Sequence, residues 1–221
     1  MDVLAEARWL FLSGTLTTLR VFVFSFLLAA PFALTLGVLR QSQNAIIRAT
    51  ATCWVEFFRG VSTVVLLFWL YFALPFFGIS LPAEIAAIIG LGLVHGAYGS
   101  EVVRGAMQSV HRDQWEAATA LGFSRPQTLR TIIMPQAFLS MLPPLGNSLV
   151  LLLKGTSIAS IITVPELTFQ STLVVTRTLA VVPIFVCVLL VYYAIAVLMI
   201  STVRAAERRL GRWRPETMAI R

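Results

Sequence analysis

LAVVPIFVCVLLVYYAIAVLMISTV, residues 179–203, runs for 25 positions without a single charged side chain. As a helix rising about 1.5 Å per residue, such a run is longer than the roughly 30 Å hydrocarbon core of a bilayer. A strand of that length would show period-two alternation or be cut by turn residues every few positions, and this run shows neither. Directly after it the chain turns basic, with Arg204, Arg208, Arg209, Arg212, Arg214 and Arg221 in the tail. The bilayer is therefore the solvent of this stretch, and a helix is its form.

Four more apolar blocks of similar length precede it, at 14–39, 56–77, 83–106 and 138–162, so the expected fold is an all-α integral membrane protein with five transmembrane helices. Composition agrees. Hydrophobic residues make up 58% of the 221 residues and the mean hydropathy is +0.86, against about 45–50% apolar usage in soluble domains. Pro31 is expected to kink the first span, where neighbouring helices can satisfy the freed carbonyl. Pro75, Gly78 and Pro82 close the second span, and residues 165–177 read as a loop or a re-entrant or interfacial helix. No internal repeat is visible, which counts against transporters built from inverted halves.

The net charge of +7 and the pI near 10.4 would suggest nucleic acid in a soluble domain. Here the basic residues flank apolar spans, and all but Lys154 are arginine. Arg40, Arg48, Arg59, Arg104, Arg112, Arg125, Arg130 and the tail fall on one side, and Arg8 and Arg177 on the other. The positive-inside rule then places the N-terminus outside and the C-terminus in the cytoplasm, with no role for nucleic acid. Cys53 and Cys187 are far apart, lack metal-ligand neighbours and read as structural. The N-terminus has no removable-signal pattern and is expected to be retained.

Residues 107–130 form the longest polar stretch, and within it 114–121 carries good helix formers, acidic residues near its start and Gly122 at its end. A short exposed helix is expected, with Ala117 and Ala118 small enough to let another backbone approach. The longer segment 116–135, EAATALGFSRPQTLRTIIMP, resembles the EAA loop of permease subunits in binding-protein-dependent ATP-binding-cassette importers. Glu116, Ala117, Ala118, Gly122, Ile132 and Pro135 match that pattern, and Met134 stands where it has leucine, a volume-conserving change.

The likeness covers 14–167 and is closest to the polar amino acid branch, through GTLTT at 14–18, VEFFRG at 55–60, AYGSEVVRG at 97–105 and LLLKGTS at 151–157. Where the branch has RGTPLLVQ, this chain has RGVSTVVL at 59–66, which widens the expected solutes to compatible solutes such as ectoine.

The resemblance implies a type I importer permease: one transmembrane domain over 1–221, with a cytoplasmic coupling loop at 107–135. It implies that Gln114, Glu116, Ala117, Ala118 and Gly122 dock on ATPase subunits, two per transporter. It further implies a second permease (the same chain or a sister), an extracytoplasmic solute-binding protein, alternating access and a location in the bacterial inner membrane. ATP hydrolysis belongs to the partners. The chain has no phosphate-binding glycine loop, catalytic constellation or metal-ligand spacing, so no catalytic residue, cofactor or metal is expected.

A charge within a span costs about 2.5–3.5 kcal/mol on insertion scales and so faces a cavity or a partner. Glu101 and Lys154 are accordingly candidates for a zwitterionic solute, with Tyr98, Asn147 and Thr156 beside them. Each has a structural alternative. Glu101 can pair with Arg104, Lys154 can pair elsewhere or act as a gate, and Asn147 and the nearby hydroxyls can bind helices together. His95 reads as a hydrogen-bonded packing residue. Two rival functions are a gradient-driven carrier acting alone and a membrane-embedded enzyme. The coupling-loop likeness speaks against the first and the missing catalytic constellation against the second.

Overall fold

In the computed structural model residues 2–211 are described, and every regular element among them is a helix. The elements are α1 (Asp2–Leu39), α2 (Ala45–Gly60), α3 (Thr63–Phe68), α4 (Ala83–Gln108), α5 (Arg112–Ala120), α6 (Arg125–Thr128), α7 (Met134–Thr156), α8 (Leu167–Thr178) and α9 (Val181–Gly211). Four stretches are long and apolar enough to cross a membrane: Arg8–Leu39, Ala83–Gln108, Arg125–Ile162 and Val181–Arg209. A bent pair, Ala45–Gly60 with Thr63–Phe77, makes a fifth if counted as one span. The tail arginines beyond residue 211 lie outside the described residues.

Three expected boundaries are corrected. The span expected at 56–77 is two helices meeting at 96°. Its first residues, 56–60, end α2, after which Val61 and Ser62 are extended, at ψ 136° and 127°. Gly60 weakens the helix there, and Ser62 is a residue type that starts a new one. Downstream, Pro75 has no N–H to donate, and the helix widens to a π turn over Trp69–Ala73 before a 3-10 turn, Leu74–Phe77, closes it.

The helix that carries the fourth span starts at Arg125, ahead of the expected 138. Ser124 and Gln127 form a capping box, in which Gln127 Oε1 accepts from the Ser124 backbone N–H at 2.9 Å and from its hydroxyl at 2.8 Å. The fifth starts at Val181, because Leu179, at φ +55°, ends α8. Residues 165–177 are mostly helix, as α8.

The α1–α4 pair is the most extensive contact in the fold. Gly92, Gly96 and Gly99 recur at helical spacing along one face of α4, which lets the backbones close up. A Cβ at Gly92 would stand 2.7 Å from Leu28 Cδ2, and one at Gly99 would stand 2.8 Å from Ala33 Cβ. α7 packs on α4 next, with Gly155 abutting Leu91 and His95. Leu67, Leu91 and Leu152 fill one end of the core, and Met107, Ile133 and Met141 fill the other. Lipid tails are as apolar as leucine, so these clusters stabilise through tight packing rather than through removal from water. On α9, Leu189, Leu190, Tyr193, Val197 and Leu198 are exposed along the helix.

Candidate functional site

Between the start of α3, the middle of α4 and the end of α7 lies a cleft of about 590 Å³. Its polar lining is Thr63, His95, Tyr98, Ser148 and Lys154. Tyr98 is held by Arg59: its hydroxyl donates to the Arg59 carbonyl at 3.3 Å, and the guanidinium lies 5.8 Å from the ring centroid. Lys154 is exposed, and its ammonium has no carboxylate partner among the described residues. His95, expected as a hydrogen-bonded packing residue, has no hydrogen bond among the described residues; its ring is 6.5 Å from that of Tyr98. Gly155 keeps space open there, since a Cβ would stand 3.2 Å from His95 Nε2. Among the described residues, the cleft sets a cation without a carboxylate partner beside hydrogen-bonding groups and an apolar wall, suited to a small solute carrying a carboxylate.

The other candidates stand elsewhere. Glu101 is held by three arginines and does not line the cleft. Its Oε1 accepts from Arg40 Nη1 at 2.6 Å and Arg59 Nη1 at 3.1 Å, and its Oε2 from Arg104 Nε at 2.9 Å and Nη2 at 2.7 Å. Glu56 joins through Arg59 at 3.0 Å and Arg40 at 3.4 Å. With both oxygens occupied, Glu101 ties α1, α2 and α4 together instead of offering an anion to a solute. Thr156 is fully buried and donates to Leu153 O at 2.7 Å, within its own helix. Asn147 is exposed outside the cleft lining.

In the connection between α4 and α7, α5 ends in a Schellman motif. Phe123 N–H donates to Ala118 O and Gly122 N–H to Thr119 O, both at 3.0 Å, with Gly122 at φ +76°. Arg112 and Glu116 pair at 2.8 Å one turn apart. Gln114 Oε1 accepts from Gln136 Nε2 at 3.3 Å, which ties α5 to α7.

Gln114, Glu116, Ala117 and Gly122 are exposed, whereas Ala118 is not. At 1% exposure Ala118 turns inward, so its small side chain serves packing within this chain and not the approach of another. Sequence reasoning passed over the exposed apolar pair beside Gly122, Leu121 at 75% and Phe123 at 39%.

Glu166 was also missed. It is fully buried and caps α8, its carboxylate accepting from Thr168 N–H at 2.9 Å, Phe169 N–H at 2.8 Å and the Tyr192 hydroxyl at 2.9 Å. The Thr18 hydroxyl donates to it at 3.4 Å and accepts from Leu167 N–H at 3.1 Å, which joins α1, α8 and α9. Burial pushes its carboxyl above the usual range, against the pull of the Thr168 and Phe169 N–H groups. The only trace in the sequence is a lone acid after Pro165. Glu166→Ala strands these donors, and is expected to lower stability by about 2–4 kcal/mol. Thermal unfolding of the detergent-purified protein measures it, and an unchanged midpoint would count against this assignment.

Residues 14–212 match the family described as "Binding-protein-dependent transport system inner membrane component". The chain is 36% identical over 207 residues to a probable amino-acid ABC transporter permease protein, y4tF, of Sinorhizobium fredii, covering 91% of this chain and 87% of that one. It is 40% identical over 178 residues to the probable amino-acid ABC transporter permease protein YckA of Bacillus subtilis, covering 80% and 79%. Among solved structures, an amino acid ABC transporter crystallised with histidines superposes with a TM-score of 0.86 at 28% identity, over 95% of this chain and 99% of that one.

Proposed function

The chain belongs to the family of inner-membrane components of binding-protein-dependent transport systems, and from that membership we propose that it is the permease subunit of an ATP-driven importer for an amino acid or a similar small zwitterion. Its five crossings, counting the bent α2–α3 pair as one, leave the N-terminus outside and the C-terminus in the cytoplasm of a bacterial inner membrane. It works beside a second permease, the same chain or a sister. Two ATPase subunits dock on the connection at 107–135, and an extracytoplasmic solute-binding protein delivers the solute. Hydrolysis takes place on the ATPase subunits, and this chain supplies the pathway.

The observation that carries this reading is the geometry of α5. Exposed Gln114, Glu116 and Ala117 precede a tip at which Leu121 and Phe123 project on either side of Gly122 in its left-handed turn. Apolar side chains at the tip of a polar connection fit a groove on another protein. α5 is tied to the spans through half-buried Trp115 and buried Ala118, so a force on the tip reaches α4 and α7. Closure of the ATPase pair would then move the two permeases between inward-open and outward-open states, each binding event biasing that equilibrium by its differential affinity.

Within the cleft, Lys154 takes the solute carboxylate, a charge-assisted contact stronger than a neutral one. The test is uptake of labelled amino acid into proteoliposomes holding the permease with its ATPase and receptor. Uptake is expected to require ATP and to persist when ion gradients are collapsed. Uptake driven by an ion gradient with no ATPase present would overturn the reading and favour a carrier that acts alone.

A further inference from the structure

Beside the polar cleft lies a second, apolar-lined space of about 220 Å³ between α1, α4 and α7. Ala30 and Ala33 of α1 line it on one side, Leu145 of α7 on another, and Gly99 of α4 lies beneath, where a Cβ would stand 2.8 Å from Ala33 Cβ. The small residues make the space. His95 and Ser148 line both this crevice and the cleft that holds Lys154, so the two spaces meet at that pair. The Ser148 hydroxyl already donates to Pro144 O at 3.0 Å, which leaves the His95 imidazole as the uncommitted polar group at the junction. No charged side chain lines the crevice.

We propose that this crevice is the side-chain subsite of the transported solute, and that the solute is an amino acid with an aliphatic or aromatic side chain. The proposal rests on the reading of the chain as an amino acid permease. A zwitterion whose carboxylate meets Lys154 can extend its side chain toward Ser148, six residues earlier on α7 and so about 1.7 turns away at 3.6 residues per turn, and toward His95 of α4, which lines the same cleft. An apolar side chain entering there leaves water for a matching wall. A charged or amide side chain would have to shed its hydration shell for one imidazole, which disfavours it strongly. His95 admits a single hydrogen-bonding group on an otherwise apolar side chain.

The experiment is equilibrium binding of labelled L-phenylalanine, glycine and L-aspartate to the detergent-purified permease–ATPase complex with no solute receptor present, so that the receptor's selectivity does not enter. The wild-type complex is expected to bind phenylalanine at least about tenfold more tightly than glycine, the scale of hydrophobic-pocket discrimination, and aspartate more weakly than either. Ala30→Phe fills the crevice and should bring the phenylalanine-to-glycine ratio close to one. Leu145→Ala enlarges it and should move preference toward larger side chains, which keeps the proposal open to test if Ala30→Phe misfolds. Equal affinity for all three amino acids in the wild type would overturn the proposal. So would ratios unchanged in both variants, with or without release of a co-purified lipid from the crevice. A complex that binds no amino acid at all would instead remove the reading on which the proposal rests.

Discussion

With Gly122→Asp, ATP-driven uptake is expected to fall about thirtyfold or more, because a charge buried unpaired in a protein interface costs about 2–5 kcal/mol and each 1.4 kcal/mol is about tenfold. Nothing among the described residues should resist the substitution by contact, since beyond its two chain neighbours none has a heavy atom within 4 Å of where the new Cβ would stand. The left-handed backbone, at φ +76°, is a separate matter. Asn and Asp are the non-glycine residues that tolerate it best. Gly122→Asn therefore isolates the charge, having nearly the shape of Asp with no ionised group, and should keep most of the uptake. Uptake, membrane insertion and thermal stability measured on both variants separate the causes. Equal loss in the two would place the effect in the turn and not in docking, and full uptake with Asp would remove α5 from the coupling role.

Much of this fold was legible because each span had to be apolar throughout and each boundary had to be polar or turn-forming. The uncharged run at 179–203 and the glycine after 114–121 state their structure locally. What failed was either a local signal passed over or a contact between distant residues. The Ser124-to-Gln127 capping box belongs to the first kind and sets the start of the helix that carries the fourth span at Arg125. The bend after Gly60 does too, since the apolar run 61–77 hid a break marked by Gly60 and Ser62.

Glu101 belongs to the second kind. Its neighbour Arg104 was visible as an i,i+3 partner, but Arg40 and Arg59 stand 61 and 42 positions away and meet it only once α1, α2 and α4 pack. That enclosure turns a candidate solute anion into a tie between helices. The site was partly readable, because Tyr98 and Lys154 line the cleft, whereas Asn147 and Thr156 do not. Periodicity places residues on faces, and no periodicity in one chain says which face meets which.

Lys154→Met should weaken binding of an amino acid to the permease–ATPase complex by about tenfold to a hundredfold while leaving the fold untouched. The size follows from losing one hydrogen bond to a charged group, worth about 1.5–3 kcal/mol, at about tenfold per 1.4 kcal/mol. The fold is spared because the ammonium has no partner among the described residues, so its removal strands nothing, and the flexible stem of Met replaces that of Lys on an exposed position of α7. The sharper measurement compares an amino acid with its carboxamide. Wild type should prefer the free acid, and Lys154→Met should bind both alike, because the discrimination resides in the contact that was removed. Lys154→Arg keeps the charge but presents a planar fork on a longer arm, and should recover only part of the preference. If Lys154→Met keeps the wild-type preference for the acid, the carboxylate sits elsewhere in the cleft. If it unfolds instead, Lys154 is holding helices together, and the cleft has lost its cation for the solute.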